Sequence, residues 1–223
     1  MDALLLTFMN PRTVFFDLDG TLIDHFSAIH RSYVHTLPQL GLPEPTLGQV
    51  RKAVGGGLEQ AMLNFVSPEQ LPVALSIYRT YFDQTMLDDV VLLPGSRNLL
   101  GELHRRKVTC AVLTNKLGDA SRSLCQHLGV TDFLQGIYGA KDTPWLKPDR
   151  AFSDHALRAL GRDSSTALLV GDSPFDVQAG LNGGFPCWAV TTGTHNKEEL
   201  IAAGASRVYP DLLELGSALL AEY

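Results

Sequence analysis

The stretch VFFDLDGTLID, Val14 to Asp24, governs how the rest of the chain is read. Val14, Phe15 and Phe16 form an apolar run of strand type, and Asp17, Asp19 and Asp24 then place three acids within eight residues. Like charges so close repel, and no ordinary core needs them, so a counter-charge is expected from elsewhere in the fold. Asp17 and Asp19 are two apart and share one side of an extended chain. Gly20 lets the chain turn sharply there and bring its backbone close to a ligand.

Outward from this stretch, the sequence from Pro94 alternates strand-length apolar runs with segments of helical period, the pattern of a parallel sheet with crossover helices. The runs are VTCAVL (Val108 to Leu113), GIY (Gly136 to Tyr138), ALLV (Ala167 to Val170), CWAV (Cys187 to Val190) and RVY (Arg207 to Tyr209). With TVFF (Thr13 to Phe16) they predict about six strands, followed by a last amphipathic helix over Leu212 to Leu220. Between Ile23 and Leu93 no strand-like run occurs. There Ile29, Tyr33, Leu37 and Leu40 mark one helix, and the segment from about Pro68 through Leu75, Tyr78 and Tyr81 marks another. The expected architecture is α/β: a Rossmann-like parallel core from residues 1–22 and 94–223, and an inserted all-helical cap over 23–93.

Composition bounds the possibilities. The chain has 223 residues, enough for one sizeable core with a smaller insertion, and 45% hydrophobic residues with a mean hydropathy of +0.04. No apolar run nears the roughly 20 residues that span a bilayer. A net charge of −6 argues against general affinity for nucleic acid or anionic membranes, while leaving room for a locally positive pocket. Cys110, Cys125 and Cys187 are odd in number and widely spaced, which suggests neither a disulfide framework nor a zinc site and fits a reducing cytoplasm. The opening MDALLLTFMNPR, without a basic leader or small-residue cleavage site, reads as a tail or an extended start.

In an open parallel sheet the carboxyl ends of the strands line a shared crevice. Asp17, Asp19 and Thr21 follow the first strand; Thr114, Asn115 and Lys116 follow VTCAVL; Lys147 lies in AKDTPWLKPD beyond GIY; Asp172 and Asp176 follow ALLV. Acids that converge without as many cations call for a divalent metal, and hard oxygen donors point to magnesium rather than zinc. A lysine and a threonine beside them suit phosphoryl oxygens, so phosphoryl transfer is the expected chemistry. One carboxylate can act as nucleophile while its neighbour carries a proton.

DLDGTLID, LTNK, LKPD and GDSPFD occur in the order, spacing and strand-end positions of the four motifs of the haloacid dehalogenase superfamily, and from Thr13 to Leu220 the chain resembles its phosphoglycolate phosphatase-like branch. The resemblance implies that Asp17 attacks phosphorus to form an aspartyl phosphate, and that Asp19 protonates the leaving alkoxide and then activates water. It implies that Thr114 and the Asn115 amide bind phosphate oxygens, and that Lys147 neutralises charge on Asp17 and the phosphoryl group. Magnesium is expected on Asp17, the Asp19 backbone carbonyl and Asp172, with Asp176 supporting a bound water. The expected partner is a small phosphate ester, phosphoglycolate favoured, with the chain a monomer or homodimer.

Asp19 argues against a dehalogenase or a phosphonate-cleaving relative, which carry a different residue there. Gly171 argues against a phosphomutase of the beta-phosphoglucomutase type, which typically has an acid at that position. A non-catalytic phosphate-binding or regulatory module is a further alternative. VQAGLNGG after the fourth motif, and His25 where a small residue is common, depart from the family pattern. Asp24 reads as a helix cap, Arg51 and Lys52 as a solvated face, Gly55–Gly57 as a turn able to approach a substrate carboxylate or a plain flexible turn, and Trp145 and Trp188 as packing residues. The spacing of His25, His30 and His35 gives no shared helix face and hence no histidine metal site.

Overall fold

The structure, a computed structural model, describes residues 10–223. Six strands form one parallel sheet: β1 (Thr13–Phe16), β4 (Thr109–Leu117), β5 (Gly136–Ala140), β6 (Ala167–Gly171), β7 (Cys187–Val190) and β8 (Arg207–Tyr209). Their spatial order is β5-β4-β1-β6-β7-β8, so β1 is central and the order reverses beside it. Phe16 registers with Val112 of β4 and Val170 of β6, which brings three strand ends together at one level. Ligand crevices of open α/β sheets form at such a reversal.

The strands read as unbroken apolar runs because both faces of the sheet are covered. Val14 and Phe16, with Cys110, Val112, Leu168 and Val170, pack against α5 (Ser96–Arg105), α6 (Gly118–His127) and α10 (Leu212–Leu220). Phe15, Leu113 and Leu169 face the other way, onto α7 (Arg150–Leu160), α8 (Pro174–Gly183) and α9 (Lys197–Ala203). Helix starts are written locally: Asp211 accepts from Leu213 N and Glu214 N, and Asn196 and Glu199 form a reciprocal capping box.

Between β1 and α5 the chain is helical: α1 (Phe26–Thr36) with a 3-10 turn over Leu37–Leu40, α2 (Leu47–Ala53), α3 (Leu58–Met62) and α4 (Leu71–Thr85). These helices own a separate apolar cluster in which Tyr33 meets Tyr78 edge-on at 5.1 Å and Phe65 at 4.9 Å. The helix expected from about Pro68 starts at Leu71, with proline in its first turn.

Two short strands were not foreseen. β2 (Ile23–Asp24) and β3 (Val91–Leu92) pair antiparallel at the two crossings into and out of the helical segment. Two-residue strands carry no periodicity, so only their mutual pairing reveals them. β4 also runs past Leu113 through Thr114, Asn115 and Lys116, with an irregularity in its register to β5 between Leu113 and Leu117. The N-terminal tail expectation falls, for positions 1–9, outside the described residues. Among the described residues no helix is long and apolar enough to cross a membrane.

Candidate active site

At the end of β1 the main chain stays in the sheet, Asp17 N donating to Val170 O at 2.9 Å. Leu18 is fully buried while the flanking Asp17 and Asp19 both line the cleft between the sheet and the helical segment. The turn closes with Gly20 N donating to Ile23 O and Ile23 N donating to Leu18 O. Gly20 sits at φ +83°, and a β-carbon there would lie 2.7 Å from Gly193 Cα, so both conformation and space require glycine.

Four of the expected residues meet around one point. Lys147 Nζ lies 2.8 Å from Asp17 Oδ1 and 2.7 Å from Asp176 Oδ1, and its side chain is buried. Asp17, Asp172 and Asp176 each offer an oxygen within 4.8 Å of the others'. Asp17 Oδ1 is buried against the Lys147 ammonium. Three carboxylates thus share one lysine in a site with little water.

The electrostatics follow. Burial pushes the Asp17 carboxyl up to about 6, with Lys147 opposing the rise and Asp176 adding to it. Burial, then Asp176 and Asp17, raise Asp172 well above the carboxylate range. For Lys147, burial works against the charge, but Asp17 and Asp176 more than restore it and its pKa is raised. Asp19 differs: burial would raise it, yet Lys116 and His25 hold it below the usual range. Lys116 Nζ donates to Asp19 Oδ2 at 2.8 Å. His25 Nδ1 is 3.5 Å from Asp19 Oδ1, while its Nε2 bonds Met86 O just beyond α4. In the protein alone Asp17 therefore holds its proton to a higher pH than an ordinary carboxyl does, and Asp19 loses its proton at a lower one.

Asp176 is committed on every side. Its Oδ2 accepts from Ser173 N and Ser173 Oγ, capping α8, while Oδ1 takes Lys147. The same carboxylate fills the space beside Gly171, where a β-carbon would lie 2.2 Å from Asp176 Cγ, so an acid at that position has no room. Thr114 lines the cleft and accepts from Lys116 N at 3.2 Å; it does not cap α6.

The Asn115 side-chain amide donates to Gly55 O and Lys147 O, and its oxygen accepts from Lys147 N. These bonds tie the Gly55–Gly57 turn of the helical segment and the Lys147 loop to β4. Of the pair expected on a solvated face, Lys52 is exposed, whereas Arg51 is half-buried: it donates to Thr192 O and Gly193 O and covers the Phe26 ring at 4.3 Å. Asp24 does serve α1, accepting from Phe26 N.

The loop after β7 was missed. Thr194 donates to Asp172 Oδ2 through N at 2.9 Å and through Oγ1 at 3.2 Å, Thr21 Oγ1 donates to Asp172 Oδ1, and Thr192 Oγ1 donates to Gly20 O. Gly193 allows this approach, since a β-carbon there would sit 1.8 Å from Asp172 Oδ2. TTGTH directly follows CWAV, so asking which polar residues follow each strand would have found it at this one too.

Comparison with known proteins agrees with the geometry. Residues 14–190 match the family model of the haloacid dehalogenase-like hydrolases. A phosphoglycolate phosphatase of Caulobacter vibrioides is 30% identical over 95% of this chain and 92% of its own length. One of Pseudomonas putida is 31% identical over 92% of this chain and 78% of its own. A haloacid dehalogenase-like hydrolase of Streptococcus pneumoniae superposes with a TM-score of 0.86 at 27% identity, over 96% of this chain and 99% of that one. With its four motifs gathered at the ends of the central strands, the chain belongs to the haloacid dehalogenase-like hydrolase family, in the phosphoglycolate phosphatase-like branch, and is an enzyme.

Proposed function

We propose that this protein is a magnesium-dependent phosphomonoester hydrolase that works through an aspartyl phosphate on Asp17. The observation that carries the reading is the buried Oδ1 of Asp17 against Lys147, with Asp172 and Asp176 within reach. The donor set fits the metal: three carboxylates against one lysine leave excess negative charge in a site of hard oxygen ligands, with Asp17 and Asp172 raised by burial and mutual repulsion. Asp17, Asp172 and the Asp19 carbonyl would hold magnesium, and the bound cation would supply charge that keeps Asp17 ionised and neutralises phosphoryl oxygens.

In the first step an Asp17 oxygen bonds to phosphorus as the bond to the ester oxygen breaks, and Asp19 gives its proton to the departing alkoxide. In the second, Asp19 takes a proton from water, the water oxygen attacks phosphorus, and Asp17 leaves as carboxylate with inorganic phosphate. A phosphate dianion beside Asp19 raises its pKa from the depressed resting state, which suits a proton donor. Lys147 stabilises charge on Asp17 and the phosphoryl group, Thr114 and the Asn115 main chain bind its oxygens, and Asp176 holds Lys147 and orients what lies beyond Asp172. Residues 23–93 act as a cap whose closure excludes water during transfer.

The names of its relatives suggest phosphoglycolate as one substrate to test. A panel of phosphate esters with and without magnesium is the assay. Magnesium-dependent release of inorganic phosphate, absent in Asp17→Asn, is expected; retained hydrolysis of an aryl phosphate by that variant would overturn the mechanism. Inorganic phosphate also separates hydrolysis from a mutase, which would isomerise a sugar phosphate without releasing it.

A further inference from the structure

The cleft in front of Asp17 and Asp19 is chemically divided. Its floor carries the acids, Thr114 and Asn115, with Lys116 held against Asp19, and its walls are mostly apolar. Ile29, Tyr33, Leu58 and Phe82 line them from the helical segment, and Leu117 and Ala120 from the core. The cavity volume is about 80 Å³. Asp19 is the proposed proton donor to the leaving alkoxide, so these walls are where the alcohol part of the ester must lie.

A small anionic alcohol such as glycolate needs a cation there. Of the cations at the cleft, Lys116 is held by Asp19 at 2.8 Å, while Arg79 and Lys141 share Glu59 at 3.0 and 3.2 Å. A carboxylate would have to compete with Asp19 or Glu59 for these cations and desolvate against phenylalanine and leucine. The Tyr33 hydroxyl, by contrast, is buried and has no hydrogen-bond partner, and Arg79 Nε is buried without an acceptor. These donors are placed for acceptors on a larger body, in a site built as ligand pockets usually are, apolar with a few placed polar groups.

We infer that the cleft takes phosphate monoesters of neutral, largely apolar alcohols of about ring size, in preference to phosphoglycolate. The inference rests on the phosphomonoesterase reading and assigns its substrate class. Benzyl phosphate and 2-phosphoglycolate are both esters of alkyl alcohols, so comparing them keeps the acidity of an aryl leaving group out of the measurement. With magnesium present, kcat/KM for benzyl phosphate should exceed that for 2-phosphoglycolate at least tenfold. Leu58→Lys, which sets an unpaired cation in the wall, should cut that ratio at least tenfold. A ratio below tenfold in the wild-type protein, or the reverse order, overturns the inference while leaving the hydrolase intact.

Binding tests the cleft without turnover. By calorimetry with magnesium, benzylphosphonate should bind the wild-type protein at least tenfold more tightly than phosphonoacetate. If neither ester is hydrolysed but this preference holds, the hydrolase reading falls and with it the substrate assignment, and only the cleft's preference for an apolar ligand remains. If phosphonoacetate binds as tightly or more so, the assignment falls.

Discussion

Replacing the proposed nucleophile should stabilise the metal-free fold. Asp17 has an ordinary carboxylate pKa of 3.8 when unfolded and about 6 in the folded protein, a rise caused first by burial. Below 3.8 the group is protonated in both states and imposes no penalty. Between 3.8 and 6 the unfolded chain ionises while the fold keeps its proton, so stability falls as pH rises; above 6 the whole penalty is present. The two-unit difference is about 3 kcal/mol at roughly 1.4 kcal/mol per unit.

Asparagine has no such penalty and nearly the same shape. In a chelator at pH 7.5, Asp17→Asn should therefore melt above the wild type, by up to about 6–12 °C at ~2–4 °C per kcal/mol for a chain of this size. At pH 4.5 most of the gap should vanish. Magnesium should narrow it at pH 7.5 by binding the wild type more tightly. Thermal melts at both pH values, with and without chelator, are the assay. A variant less stable than wild type in chelator at pH 7.5, or a gap that does not change with pH, would refute the electrostatic account of the site.

Other substitutions probe the parts separately. Lys147→Met leaves three buried acids without their cation and should cost about 3–5 kcal/mol in chelator, read by denaturant titration, along with activity. Asn115→Ala removes three hydrogen bonds, to Gly55 O, Lys147 O and Lys147 N, and at ~1 kcal/mol each should cost about 3 kcal/mol and speed proteolysis in the Gly55–Gly57 turn. Gly193→Ala puts a β-carbon against Asp172 and should raise the magnesium concentration for half-maximal activity at least tenfold, with little change in far-ultraviolet circular dichroism.

Stability and function pull apart at this site because its charges are arranged for a ligand. Asp17, Asp172 and Asp176 around Lys147 are poorly compensated by the protein alone, and Tyr33 in the opposing wall leaves its hydroxyl unused. Sites that must bind charge commonly keep such unfavourable groups at a cost in stability.

The sequence by itself determined the sheet and the chemical inventory. Six apolar runs bounded by helical periods specified six strands, since burial on both faces leaves a strong local signal. Asp17, Asp19, Lys147 and Asp172 were legible because each directly follows, or closely trails, a strand whose end must face the crevice. Tertiary structure decided how those groups are used. Asn115 spends its side chain on Gly55 and Lys147, Lys116 reaches Asp19 across 97 residues of chain, and Thr194 fixes Asp172 from the loop after β7. The β2–β3 pair at the base of the helical segment is of the same kind. These are distances between segments remote in sequence, and local periodicity carries no record of them. The opening acids thus announced the chemistry, while the partners that set the charge of each were fixed only when the chain closed around them.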